Sequence, residues 1–208
     1  MNSSGRDCNA SREGSALSRG GQWLFEHRAW IPAPCVVGCF WLIKPLQIWT
    51  GVGIGMVAIA VVVRFWSVVH MGPEARMRTA NVSKLIYTGP YELTRNPMYL
   101  ANIVLMAGFG VAAGGPMLGV GLGVAMVAIY SVIVRFEEDF LERRLGEIYR
   151  SYRNRVPRWL GEAAPVHAAA PKGIMSERVG DAYRAERSTL ILSSIVTLMV
   201  LIRAATLG

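Results

Sequence analysis

The chain has 208 residues, of which 52% are hydrophobic, and a formal charge of +8; its apolar residues fall in long blocks separated by short basic segments. This pattern excludes a water-soluble multidomain protein and predicts an all-α fold: a polytopic membrane helix bundle of about five transmembrane helices in one domain. The positive charge is accounted for by topology and anionic headgroups without a nucleic-acid partner, and Cys8, Cys35 and Cys39 with the scattered His27, His70 and His167 form neither a disulfide framework nor a metal site.

Residues 1–21, rich in Ser, Gly and Arg and without the apolar core of a signal peptide, read as a disordered cytoplasmic tail. The membrane core is expected over residues 22–160. Gln22 to Trp30 mixes aromatics with charge and suits the membrane interface, and the first helix is expected over Ala29 to Ile43, with Pro32 and Pro34 at its start. The second is expected over Leu46 to Val69. Its Gly51, Gly53 and Gly55, like Gly119, Gly121 and Gly123 further on, suit close helix packing rather than phosphate binding, since neither set follows a strand. Arg64 lies inside this helix. A charge there either snorkels to the cytoplasm or points into a polar cavity between helices, where it is a candidate for binding substrate.

A polar stretch follows, from Ser83-Lys84-Leu85-Ile86 through Gly89-Pro90-Tyr91 to Arg95-Asn96-Pro97-Met98-Tyr99. Gly-Pro sets a turn, and Asn96-Pro97 breaks one helix and starts the next. Arg95 and Asn96 are thereby placed at a helix N-terminus, where free N–H groups and the positive dipole end favour an anionic group. Two apolar segments, Met98 to Ala113 and Met117 to Val134, are joined by Ala112 to Pro116, a link short enough only to turn the chain back. The hairpin must therefore return a second polar stretch, beginning at Arg135-Phe136-Glu137-Glu138, to the membrane face that carries the first.

Beyond Val134 the spacing of Phe136, Phe140, Leu141, Leu145, Ile148, Tyr149 and Tyr152 predicts a cytoplasmic amphipathic helix with one apolar stripe. Glu137 and Glu138 head that stripe, and acidic groups on a buried face need a cationic partner. The partner is either a ligand or the protein's own Arg95 or Arg135. Residues 161–188 read as an Ala- and Pro-rich linker with a short charged helix, Ser176 to Arg187. Residues 189–208 carry a last transmembrane helix, Thr189 to Ile202, that serves packing or oligomerisation. Basic residues cluster in the N-terminal tail, in the loop after the second helix and in the stretch after the fourth, which predicts that all three face the cytoplasm from an inner, cytoplasmic membrane.

Taken together, Ser83-Lys84-Leu85-Ile86-x-x-Gly89-Pro90-Tyr91-x-x-x-Arg95-Asn96-Pro97-Met98-Tyr99 and Glu137-Glu138-x-x-Leu141-x-x-x-Leu145-Gly146-x-x-Tyr149-x-x-Tyr152-x-x-x-Val156-Pro157 resemble the isoprenylcysteine carboxyl methyltransferase and phospholipid N-methyltransferase superfamily. The resemblance covers roughly Arg64 to Trp159. It implies an integral-membrane methyltransferase that binds S-adenosylmethionine at the cytoplasmic surface and acts on a membrane lipid or lipophilic acceptor. Carried over, the cofactor contacts would be Ser83, Lys84, Leu85, Ile86, Tyr91, Arg95, Asn96, Pro97, Met98, Tyr99, Glu137 and Glu138, with Arg135 as the nearest counterpart of the family's substrate-contacting arginine. Asn96 stands where the family has His, which keeps hydrogen bonding and loses a titratable ring.

The residue chemistry agrees: Arg suits the cofactor's carboxylate, the two glutamates its ammonium or ribose, and Tyr91 and Tyr99 its adenine. Methyl transfer needs alignment and exclusion of water more than a nucleophile, so no residue is assigned as catalytic and no metal is expected. Two alternatives compete. A membrane sterol-type reductase carries a similar motif, but NADPH calls for cations where Glu137-Glu138 stand. A non-catalytic scaffold of the same fold is the other, consistent with Asn96 and the added last helix.

Overall fold

The computed structural model describes residues 23, 32–42, 48–76, 85–160 and 175–206. The expected tail, Ser83, Lys84 and the 161–172 linker lie outside the described residues, as does all of the expected interfacial segment except Trp23. Every element among the described residues is helical: α1 Pro32–Trp41, α2 Ile48–Arg76, α3 Pro90–Leu93, α4 Pro97–Gly114, α5 Pro116–Leu145, α6 Glu147–Arg155 and α7 Met175–Thr206.

Four of these are long and apolar enough to cross a bilayer: Ile48–Gly72, Pro97–Gly114, Pro116–Leu145 and Arg178–Thr206. The first expected span is different. Helix α1 has 10 residues, about 15 Å at the helical rise, which is half the hydrocarbon thickness.

Helix α2 is interrupted near its end at Gly72 (φ 69°, ψ 170°). Pro73 has no N–H to offer the carbonyl of Val69 four residues before it. Arg178 Nη1, from α7, donates to that oxygen instead at 3.2 Å.

The α4–α5 hairpin turns at Gly115, whose φ of 90° is glycine territory, and Pro116 opens α5. Helix α4 lies between α2 and α5, while α7 packs against α2. Met106, Phe109, Met126, Tyr130, Ile133 and Val134 form the main core between α4 and α5, and Ala112 and Ala113 pack on Val200 and Ala204 of α7.

The glycine triplets divide by helical phase. Residues two apart on a helix face nearly opposite ways, whereas residues four apart share a face. A Cβ at Gly53 would lie 2.5 Å from the Gly108 carbonyl oxygen, so α2 and α4 touch backbone to backbone there; Gly51 and Gly55 meet nothing within 4 Å. On α5, a Cβ at Gly119 would lie 2.9 Å from the Ala107 oxygen and one at Gly123 would be 3.5 Å from Ala107 Cβ, while Gly121 meets nothing.

Two element boundaries differ from expectation. The charged helix and the membrane helix expected on either side of Ser188 are one continuous α7, because nothing between Arg187 and Thr189 can break a helix. Conversely, the expected amphipathic helix is split at Gly146 (φ 56°). The split resets the helical phase beyond it, where Tyr149 and Tyr152 are buried while Ile148, expected on the same stripe, is exposed; Phe140, before the split, is exposed as well.

Candidate functional site

The two polar stretches meet at the motif-bearing end of the bundle. Gly89 (φ 61°) starts α3, and its N–H donates to Glu92 Oε1 at 3.0 Å. Arg95 N then donates to the Pro157 carbonyl at 2.9 Å, Thr94 Oγ1 to the Arg158 carbonyl at 3.0 Å, and Tyr152 Oη to the Tyr91 carbonyl at 2.7 Å. The segment after α6 is thereby laced to the loop before α4. Leu85 packs on Tyr149, Tyr152 and Val156, closing the same layer from the other side.

Glu138 sits at the centre of this knot with 7% of its side chain exposed. Its Oε1 lies 3.1 Å from Arg95 Nη1 and accepts from Asn96 Nδ2 at 3.3 Å. Its Oε2 accepts from Arg158 Nη2 at 2.7 Å and Nε at 3.1 Å. Asn96 is the N-cap residue of α4, yet its side chain makes no capping bond; its amide goes to Glu138 and, at 3.2 Å, to the Arg158 carbonyl. The anionic group expected at this helix start is therefore in part the protein's own carboxylate, which favours the positive dipole end.

Arg95 remains incompletely satisfied. Its side chain is 9% exposed, and its Nε and Nη1 have no hydrogen-bond acceptor of suitable geometry, so the approach of Nη1 to Glu138 is a charge contact only. A buried guanidinium in this state is costly and marks a place for an oxyanion. Glu137 points away from its neighbour and accepts from Tyr99 Oη at 2.8 Å, half-buried. Tyr99 stacks on Tyr130 with centroids 4.9 Å apart.

The tyrosines above this knot feel its charges. Burial pushes the Tyr149 hydroxyl up to about 12, with the Glu138 and Glu137 carboxylates adding to the rise and the Arg95 guanidinium opposing it. Tyr152 is raised for the same first reason, with Tyr149 next. Arg158 is raised by its hydrogen bonds to Glu138.

Of the expected site residues, Tyr91, Arg95, Asn96, Pro97, Tyr99, Glu137 and Glu138 converge here. Ile86 is half-buried beside them in the chain. Met98 packs instead on Val68, Val69 and Ala182, between α2 and α7. Arg135 is on the exposed side of α5, and the knot does not include it. Arg158, which the expected contacts omitted, is a full member; its place after Val156-Pro157 was the available signal.

Arg64 neither snorkels nor stands alone. Its Nε donates to Glu186 Oε2 at 2.6 Å, its Nη2 to Oε1 at 3.3 Å and its Nη1 to Asn102 Oδ1 at 2.5 Å. Glu186, on α7, is 2% exposed. A helix expected to hold no chemistry thus supplies the most deeply buried carboxylate described. Position alone could not reveal the pairing, since 122 residues separate the partners. Among the described residues no cluster of three or more His, Cys, Asp and Glu is placed to hold a metal.

The model of the phospholipid methyltransferase family matches residues 48–148, which run from the start of α2 just past Gly146. The nickel-cobalt-cadmium resistance protein NccN of Alcaligenes xylosoxydans xylosoxydans is 31% identical over 106 residues, covering 51% of this chain and 46% of that protein. The cobalt-zinc-cadmium resistance protein CzcN of Cupriavidus metallidurans is 27% identical over 101 residues, 49% and 44% of the two chains. Protein-S-isoprenylcysteine O-methyltransferase B of Arabidopsis thaliana is 23% identical over 109 residues, 50% and 55%. The chain spans about half the length of these curated relatives, and no solved structure matches it significantly. Residues 48–148, just under half of the chain, thus match the phospholipid methyltransferase family, and they contain the arginine-asparagine-proline stretch and the glutamate pair that fold into one site.

Proposed function

We propose that this protein transfers a methyl group from S-adenosylmethionine to a lipid or isoprenoid-like acceptor carrying a carboxylate, amine or thiol, which reaches the site sideways from the bilayer. The observation that carries the reading is the convergence of Arg95, Glu137 and Tyr99 around the Glu138 knot. S-adenosylmethionine would supply an electrophilic methyl on a sulfonium. Arg95, with guanidinium donors lacking an acceptor, suits the cofactor's carboxylate. Glu137 suits the ammonium or a ribose hydroxyl. Glu138 acts differently: with Asn96 and Arg158 donating to its two oxygens and the Arg95 guanidinium in charge contact beside them, it holds these three side chains in register and has little capacity left for a ligand.

The residues around the site orient and exclude water; none is assigned a proton transfer. Calorimetry on the detergent-solubilised chain tests the reading directly. S-adenosylhomocysteine is expected to bind, and Arg95→Ala to weaken that binding at least about tenfold, the loss of one charge-assisted contact. Binding of NADPH with none of S-adenosylhomocysteine would overturn it.

A further inference from the structure

One turn deeper into the bundle than the knot, the four spanning helices share a second polar cluster: Arg64 of α2, Asn102 of α4, Tyr130 of α5 and Glu186 of α7. Joining helices does not by itself require charge, since a buried ion pair is often no more stabilising than apolar residues of the same volume. What the pair adds is direction. Glu186 grips one edge of the guanidinium, with Oε2 accepting from Nε at 2.6 Å and Oε1 from Nη2 at 3.3 Å. That grip aims Nη1 at α4, where it donates to Asn102 Oδ1 at 2.5 Å.

Asn102 follows Tyr99 by three residues, so the two lie on one face of α4, about 4.5 Å apart along its axis. The Tyr130 hydroxyl is hydrogen-bonded to the Asn102 side chain, and its ring packs on that of Tyr99 with centroids 4.9 Å apart. Tyr99 Oη in turn donates to Glu137 Oε2 at 2.8 Å. Contacts therefore run without a break from α7 to a glutamate of the cofactor site. With Tyr130 1% and Glu186 2% exposed, the path is closely packed, and interiors packed this closely transmit a displacement rather than absorb it.

We propose that Glu186 is a positioning residue for the cofactor site: by orienting Arg64 it fixes Asn102 and Tyr130, and through them the Tyr99 ring that holds the Glu137 carboxylate. This role rests on the reading of Tyr99 and Glu137 as S-adenosylmethionine contacts. It gives α7, which lies outside the matched residues 48–148, a part in the site.

The test combines calorimetry with S-adenosylhomocysteine and a thermal melt, both on the full chain in dodecyl maltoside. In the double variant Arg64→Gln/Glu186→Gln, the amide at position 64 ends where Arg64 Nε stands. Two uncharged amides can then still bridge α2 and α7, while Nη1 and its bond to Asn102 are gone. Its Tm is expected close to the parent's and its affinity at least about threefold lower. Tyr130→Phe, which loses only the hydroxyl and keeps the ring on Tyr99, should weaken binding about twofold. Val200→Ala loosens α7 against Ala112 and Ala113 without touching the path; it should lower Tm and bind like the parent. Parent-like affinity in the double variant or in Tyr130→Phe, or an equal loss in Val200→Ala, would overturn the positioning role and leave the S-adenosylmethionine reading in place. A parent chain that does not bind S-adenosylhomocysteine would overturn that reading and the role with it.

Discussion

Glu137 and Glu138 are adjacent in sequence and have opposite jobs, because successive helical residues point about 100° apart. Glu138 turns inward to Arg95, Asn96 and Arg158, whereas Glu137 faces Tyr99 and the open side of the knot. Their glutamine variants should separate accordingly. Glu137→Gln is expected to lose S-adenosylhomocysteine binding with Tm nearly unchanged. Glu138→Gln should lose binding and also about 3 kcal/mol of stability, because Arg95 is left buried without its counterion; the Arg158 share is small, its side chain being 35% exposed. Calorimetry and a melt on the same two variants decide, and equal behaviour would refute the division of labour.

A second residue-scale prediction concerns alkaline pH. The Tyr149 hydroxyl lies at about 12 against an ordinary value of 10.0, so the folded state holds a proton that the unfolded state releases. The associated stability is fully present below pH 10 and is lost as pH rises through about 12. The difference corresponds to roughly 2–3 kcal/mol. Tm should fall over that window, and Tyr149→Phe should flatten the fall; an unchanged slope would show that another group controls it.

At the scale of elements, close approach and buried charge are the two devices that join the helices. Gly53→Ala pushes a methyl into the Gly108 carbonyl and is expected to cost about 1–3 kcal/mol, while Gly51→Ala and Gly55→Ala, facing open space, should be neutral or slightly stabilising through helix propensity. A melt of the three variants checks it. Helix α7 is fastened by Arg64 and Glu186. Glu186→Gln leaves an unpaired guanidinium among apolar spans and should destabilise by about 3–5 kcal/mol. Adding Arg64→Gln, which removes the second charge, should recover most of the loss, as Tm measurements on the single and double variants will show.

At the scale of the whole molecule, the four spanning helices bring the ends of α2 and α5 and the starts of α4 and α7 to one side. That side carries Arg143, Arg144, Arg150, Arg153, Arg155, Arg158, Arg178, Arg184 and Arg187, whereas the end of α7 has Arg203. The positive-inside rule predicts a cytoplasmic site. An Arg150→Cys variant should react with an impermeant maleimide only after membranes are opened, and Thr206→Cys should react in intact cells. The reverse pattern would place the site on the outer face.

The sequence by itself determined the helical class, the hairpin and the meeting of its two flanking motifs, because apolar block length and a five-residue Gly/Pro turn act locally and leave the chain one way to return. It also exposed the glycines, though not which of them touch. Tertiary structure alone decided that Glu138 is spent on Arg95, Asn96 and Arg158, that Arg64 is answered by Glu186 from a helix 122 residues away, and that Gly146 divides the amphipathic helix. Each of these depends on where distant side chains meet or on a backbone angle that glycine permits and does not dictate, and neither is written in the spacing of residues along the chain.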